Sequence, residues 1–172
     1  LKVGPQAEIR SLQQAARQAQ DGDTVELAPG EYFECASWQA NGLTIAGPAD
    51  PATPAVVSDA ACEGKAAFII RGDGVTLHDI TFTRVRVPDG NGGGIRLEGR
   101  NLTVERGRFV NNQVGIQAVD APDGMLTVLD SHFERNAACE GPRCMAAIQT
   151  DGLLRLRVER TSFAASRGGE QI

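Results

Sequence analysis

A short pattern of two aliphatic residues around one other residue recurs along the chain and strongly constrains the fold. In four copies a phenylalanine follows, always five residues beyond the second aliphatic residue. The copies begin at Val75, Leu102, Leu126 and Leu156, and their phenylalanines are Phe82, Phe109, Phe133 and Phe163. An earlier copy, Leu43-Thr44-Ile45, lacks the phenylalanine. The phenylalanines are 24 to 30 residues apart, which indicates a structural repeat with loops of variable length.

Before the triplet, each repeat also contains a short segment in which apolar and polar residues alternate as they do in a β-strand. Examples are Ile95-Arg96-Leu97 and Ile148-Gln149-Thr150. A unit of this size cannot bury its apolar side alone, whereas stacked copies bury a continuous core. The repeat therefore predicts an all-β parallel β-helix with like strands about 4.8 Å apart. A leucine-rich repeat would need its own consensus and a helical turn, and a propeller blade would be longer and antiparallel.

The N-terminal region differs from the repeats and predicts an amphipathic helix at about 11–21. Ser11 and Gln14 have the spacing of a capping box, in which each side chain bonds the backbone of the other. Leu12, Ala15, Ala16 and Ala19 would share one helical face, and Asp21-Gly22 would end the helix. Such a helix can close the open apolar end of coils that run over about 23–172. The alternative is a helix that packs beside the array.

Several segments resemble right-handed parallel β-helix proteins of bacteria, in the pectate-lyase-like superfamily. The segment 22–32 has the pattern Gly-Asp-Thr-aliphatic-x-aliphatic-x-Pro-Gly-x-Tyr of their N-terminal region, and 91–96 and 109–116 resemble their repeats. The resemblance covers nearly the whole chain and implies a single right-handed β-helix domain at 1–172. Members of the superfamily include polysaccharide lyases, glycoside hydrolases and epimerases, as well as binding and structural proteins. The resemblance therefore implies a fold rather than one activity.

Composition and charge exclude several classes of function. The net charge is −5, which argues against a nucleic-acid-binding protein. No apolar run approaches the roughly 20 residues of a membrane-spanning helix. The expected partner is a polysaccharide, and the expected compartment is secreted or periplasmic.

Four cysteines favour disulfides over a metal site. None forms a Cys-x-x-Cys motif, and the two histidines lack ligand spacing from any cysteine pair. Cys139 and Cys144 flank one loop insertion, and Cys35 and Cys62 lie about one coil apart, so we expect these two pairs to form. We expect no cofactor; calcium would need a cluster of acidic residues, and none is visible in the sequence.

The candidate binding surface is the outward face of the strands that precede the triplets. Stacking would align Arg96, Gln117 and Gln149 in one row, and loop insertions at 85–94 and 137–146 should wall one edge. The substrate-binding candidates are Arg71, Arg96, Glu98, Gln117, Gln149 and Asp151. This surface predicts an exported protein that binds an acidic or neutral polysaccharide.

Enzymatic and structural alternatives remain open at this point. A uronate lyase or epimerase-like enzyme could hold an acidic sugar with Arg71 and Arg96. Surface ion pairing of these arginines with Glu98 is the competing interpretation. Glu98 and Asp151 align two coils apart, which suits a hydrolase pair poorly. His132 could serve as a base with Asp151, or it could be an ordinary surface histidine. A purely structural solenoid is a further alternative.

The last residues of the chain resemble the beginning of another strand. The segment 168–172 has the same kind of sequence as Ile148-Gln149 and Ile116-Gln117. A solenoid that ended here would leave an open apolar cross-section. We therefore expect either a longer natural chain or end-to-end self-association.

Overall fold

The computed structural model describes residues 1–119, 122–140 and 143–172. Their strands lie in three parallel sheets and one short antiparallel pair. The first sheet contains β1 (Lys2–Val3), β2 (Thr24–Leu27), β5 (Thr44–Ala46), β8 (Val75–His78), β11 (Asn101–Glu105), β14 (Met125–Leu129) and β19 (Arg155–Glu159). The second contains β3 (Gly30–Tyr32), β6 (Ala55–Ser58), β9 (Ile80–Thr83), β12 (Arg108–Val110), β15 (His132–Glu134) and β20 (Ser162–Ala164). The third contains β4 (Ala36–Trp38), β7 (Ala66–Ile70), β10 (Gly93–Leu97), β13 (Val114–Val119) and β18 (Ile148–Asp151).

The chain visits the three sheets in turn, so each coil adds one strand to each sheet. The interruption is the hairpin of β16 (Cys139–Glu140) and β17 (Arg143–Cys144), which is inserted before β18. Strands of successive coils pair in parallel, for example β8 with β11 and β11 with β14. This topology is consistent with a parallel β-helix.

The predicted register is confirmed throughout the core. The triplet threonines align from coil to coil as Thr44, Thr76, Thr103 and Thr127, and Thr24 extends the ladder. The phenylalanines of the repeat stack with ring centroids 5.3, 4.6 and 5.0 Å apart. The aliphatic residues on either side of each threonine point inward, as the burial of Leu102 and Val104 shows. Alternation along the strand thus separates a threonine ladder from an aliphatic and aromatic core.

The predicted helix forms as α1 (Leu12–Gln18), which is shorter than 11–21. It ends early because Ala19 has an extended backbone, with φ −60° and ψ 134°. Ser11 Oγ accepts a hydrogen bond from the Gln14 amide at 3.1 Å, as predicted. The reciprocal bond is different from the prediction, since Gln14 Oε1 accepts from the Arg10 amide at 3.4 Å. The buried face of α1 packs against β4, the terminal strand of the third sheet, and so covers that end of the core.

A column of residues with positive φ marks the turn from the first to the second sheet. Its members are Asp79, Arg106, Asp130 and Arg160, with φ between 46° and 59°. Aspartate and arginine alternate from coil to coil. Arg106 donates to both Asp79 oxygens at 2.8 and 2.9 Å, and Arg160 donates to both Asp130 oxygens at 2.7 and 2.9 Å. These bidentate pairs connect neighbouring coils along the outside of the turn.

Both predicted disulfides form. Cys35–Cys62 joins the turns that precede β4 and β7, so it connects neighbouring coils. Cys139–Cys144 closes the inserted hairpin. Two disulfides are typical of proteins from an oxidising compartment.

The last described coil is less covered than the coil before it. Its apolar residues Leu156, Val158 and Phe163 are only partly buried, although their partners Leu126, Val128 and Phe133 are buried. The segment 168–172 lies beside the start of β18, where the amides of Ala147 and Ile148 donate to Glu170 and Gln171. The segment therefore lies beside Ile148, as the sequence suggested, but its residues form no strand of the third sheet.

Candidate functional site

A groove of about 380 Å³ lies on the outward face of the third sheet, where the sequence predicted a binding surface. Gln117, Val119, Gln149 and Asp151 line it from β13 and β18. The pairing of Gln117 with both Arg96 and Gln149 confirms the predicted row. The groove therefore brings together Gln117, Gln149 and Asp151, three of the six candidate residues.

The two glutamines present amide NH₂ groups in this groove. Arg96 Nη1 donates to Gln117 Oε1 at 2.7 Å, and the Ala146 amide donates to Gln149 Oε1 at 3.3 Å. Because a guanidinium and a backbone N–H can only donate, the oxygen of each side-chain amide must face its donor. Each Nε2 is left as a hydrogen-bond donor, and the two lie on neighbouring coils.

Both predicted insertions wall the groove. Asp89, Gly90 and Asn91 contribute from 85–94, and Cys144 and Met145 contribute from 137–146. Gly141 and Pro142 of the second insertion lie outside the described residues. Asn91 Oδ1 is buried and lacks a hydrogen-bond partner within the described part of the chain. The lining of the groove thus includes the two carboxylates of Asp89 and Asp151, and the Asn91 oxygen lies beneath the surface of the wall.

The other three candidates, Arg71, Arg96 and Glu98, form an ion-pair cluster on the same sheet. Glu98 accepts from Arg71 Nε at 2.8 Å and from Arg96 Nε at 2.9 Å. Sequence reasoning proposed this triad but missed Lys65 and Glu63. Lys65 Nζ donates to Glu98 at 2.8 Å, and Arg71 Nη2 donates to Glu63 at 2.7 Å. Lys65 and Glu63 lie in the turn before β7, and their approach depends on a loop conformation that the repeat pattern does not encode.

The cluster fixes the charge state of Glu98. Burial of this carboxyl raises its pKa, but hydrogen bonds from Lys65, Arg71 and Arg96 outweigh burial and hold the pKa at about 2. Glu98 is therefore ionised and a weak base at neutral pH. Each arginine already donates to Glu98, and the cluster as a whole, with three cations and the two carboxylates of Glu63 and Glu98, keeps one net positive charge.

The alternative in which His132 acts as a base with Asp151 is not supported by the structure. His132 lies on β15 of the second sheet, whereas Asp151 ends β18 of the third. The His132 ring instead contacts Ser162 Oγ at 2.7 Å through Nδ1. Different sheets of a coil face different directions, so the two side chains do not share a site.

A hydrolase pair of Glu98 and Asp151 also lacks support from the geometry. Val119 pairs with Asp151 and separates its coil from that of Glu98, and Glu98 is already engaged by three cations. Within the described residues, no group of three or more His, Cys, Asp or Glu side chains is arranged to hold a metal ion.

Comparisons with known proteins give no further identification. No family model, curated protein or solved structure matches the chain. Within the described residues, no helix is long and apolar enough to cross a membrane. The fold and the groove are therefore the observations on which a functional proposal must rest.

Proposed function

We propose that this chain is a carbohydrate-binding protein that holds a neutral oligosaccharide along the groove of the third sheet. The observation that carries the proposal is the pair of donor NH₂ groups on Gln117 and Gln149. Strand pairing places these side chains about 4.8 Å apart. Sugar hydroxyls both donate and accept, so they can also use the carboxylates of Asp89 and Asp151.

The charges of the groove favour a neutral glycan over an acidic one. Two carboxylates line it, Asp89 and Asp151, and both would repel a uronate. The nearest arginine of the row, Arg96, donates to Glu98 and to Gln117. Arg96 therefore orients a glutamine in this proposal and does not grip a ligand carboxylate.

Binding accounts for these residues better than lyase or epimerase chemistry. A uronate lyase needs a cation for the substrate carboxylate and a base for the C5 proton. Here Arg71 and Arg96 are paired with Glu98, and the low pKa of Glu98 makes it a poor base. A purely structural solenoid would not need two loop insertions that wall a polar groove.

We further propose that the coil is right-handed, that the chain is related to the pectate-lyase-like superfamily, and that it is exported. Parallel crossover connections are right-handed in about 98% of cases. The two disulfides support passage through an oxidising compartment.

Binding to a panel of glycans tests the function. Calorimetric titration with neutral β-glucan, xylan and mannan oligosaccharides should detect binding, and polygalacturonate should bind more weakly. The double variant Gln149→Ala/Asp151→Asn should weaken binding about tenfold, because it removes one donor and one charged acceptor. Gln39→Ala is the control, since Gln39 is exposed and lies outside the groove.

Three results would contradict the proposal. These are failure of every glycan to bind, unchanged affinity in the double variant, and release of unsaturated uronate products from polygalacturonate. The last result would favour the lyase.

A further inference from the structure

A second cleft, of about 360 Å³, lies over the outward face of the second sheet. Its floor contains Thr81, Arg108 and His132, which are register partners on β9, β12 and β15. A loop at 47–54 forms one wall with Pro48, Pro51 and Pro54. In the following coils, short turns at Asp79, Arg106 and Asp130 replace this loop and form the opposite side.

The acidic residues that line this cleft are engaged within the protein. Asp79 accepts from Arg106 at 2.8 and 2.9 Å and contacts His78 Nδ1 at 2.7 Å. Asp130 accepts from Arg160, and Asp50 accepts from the Ala52 amide at 2.9 Å. Within the described residues, Asp79 and Asp130 are therefore paired with cations, whereas the Asp50 carboxylate has this one backbone hydrogen bond and no ion pair.

Arg108 differs from the arginines around it. It is exposed, and within the described residues its guanidinium has no hydrogen bond or ion pair. His132 beside it contacts Ser162 Oγ at 2.7 Å, and its Nε2 lies 3.6 Å from Glu134. Glu134 is in turn paired with Arg135 at 2.8 Å. The floor of the cleft therefore carries an uncompensated guanidinium between a hydroxyl and an imidazole.

We propose that this cleft binds the oxyanion group of a small ligand: a carboxylate, a sulfate or a phosphate. A guanidinium binds such groups through two parallel hydrogen bonds. The Thr81 hydroxyl lies beside Arg108 at strand spacing and can complete the contacts, and the His132 ring lies on the other side of Arg108. The proline-rich wall provides a stiff apolar surface for the rest of the ligand. This site is on a different sheet from the glycan groove, so it does not depend on the function proposed for that groove.

Titration with three simple probes tests the site. Sodium sulfate, sodium phosphate and sodium glucuronate are added separately at constant ionic strength, with chloride as the balancing anion. At least one probe should bind saturably, and the three arms identify which oxyanion the site prefers. Arg108→Gln should weaken this binding at least about tenfold. Arg155→Gln is the matched control, because Arg155 is exposed and lies on the first sheet, away from the cleft.

A second readout keeps the test independent of variant folding. In the unaltered protein, saturating probe should shift the ring resonances of His132 in an NMR spectrum, and those of His78 should move less. The glycan-groove variant Gln149→Ala/Asp151→Asn should bind the anion normally. The proposal is overturned if no probe binds saturably, if the His132 resonances stay fixed, or if Arg108→Gln binds as tightly as the unaltered protein.

Discussion

Among single residues, Glu98 is the carboxylate of the ion-pair cluster that accepts hydrogen bonds from three different cations. Its pKa is about 2, below the ordinary value of 4.5, because three cations outweigh the effect of burial. The lower folded pKa means that the ionised carboxylate stabilises the native state. This contribution is complete above about pH 4.5 and is lost as the pH falls towards 2.

We predict that Glu98→Gln lowers the free energy of unfolding by about 2–3 kcal/mol at pH 7, because three cations lose their shared anion. The difference from the unaltered protein should shrink progressively between pH 4.5 and pH 2. Urea unfolding of both proteins at a series of pH values measures this difference in the free energy of unfolding. Glu8→Gln is the control, because Glu8 is exposed and forms no ion pair within the described residues. A difference that does not change with pH would refute the electrostatic account.

Ala165 is a second single residue with a measurable energetic effect. It has φ 49°, in the left-handed region where a Cβ is unfavourable, and it is exposed. We predict that Ala165→Gly raises the free energy of unfolding by about 0.5–1 kcal/mol. The neighbouring strand residue provides the control: Ala164→Gly should destabilise by a similar amount. The melting temperatures of the two variants should shift in opposite directions. Equal shifts in the same direction would contradict the argument.

At the scale of elements, two buried asparagines hold the turn that follows the second sheet. Asn112 Oδ1 accepts from the Val85 amide at 3.0 Å, and its Nδ2 donates to the Phe82 carbonyl at 3.0 Å. The Asn112 amide in turn donates to Asn136 Oδ1 at 3.0 Å. These hydrogen bonds join neighbouring coils as a ladder, and burial makes each of them costly to lose.

We predict that Asn112→Ala lowers the free energy of unfolding by about 2–4 kcal/mol, because it leaves a buried amide and a buried carbonyl without partners. Asn41→Ala should cost less than about 1 kcal/mol, since the Asn41 side chain makes comparable bonds on the exposed surface, donating to Asp21 Oδ2 and accepting from the Asp73 amide. Chemical denaturation of the two variants measures both losses of unfolding free energy. Equal costs would show that burial is not what makes the ladder strong.

The sequence predicted the strands because inward residues repeat with the period of the coil. It did not predict the Asp–Arg column, since arginine has no preference for positive φ and is held there by pairing between coils. The need for glycine at position 115 is visible only once the coils are stacked, because a Cβ there would lie 2.7 Å from the Phe133 ring. The sequence also did not predict the second cleft, because the prolines of 47–54 indicate a loop but do not indicate which sheet the loop covers.

At the scale of the whole molecule, the two disulfides have different relations to the fold. Cys35–Cys62 connects two coils across 27 residues, near the end that α1 covers. Cys139–Cys144 spans 5 residues within an insertion, and Cys144 lines the proposed glycan groove. The first bridge therefore constrains the stacking of coils, and the second shapes a wall of the groove.

Removing each bridge separately should distinguish these two roles. Cys35→Ser/Cys62→Ser should lower the free energy of unfolding by about 3–4 kcal/mol, because the closed loop is long. Cys139→Ser/Cys144→Ser should cost only about 2 kcal/mol by the same chain-entropy argument. The second pair should nevertheless weaken glycan binding more than the first, since it loosens the wall that carries Cys144 and Met145. Denaturation and glycan titration of both variants check the expectation. If the coil-joining pair were the one whose loss weakened glycan binding more, the placement of the ligand beside the inserted hairpin would be wrong.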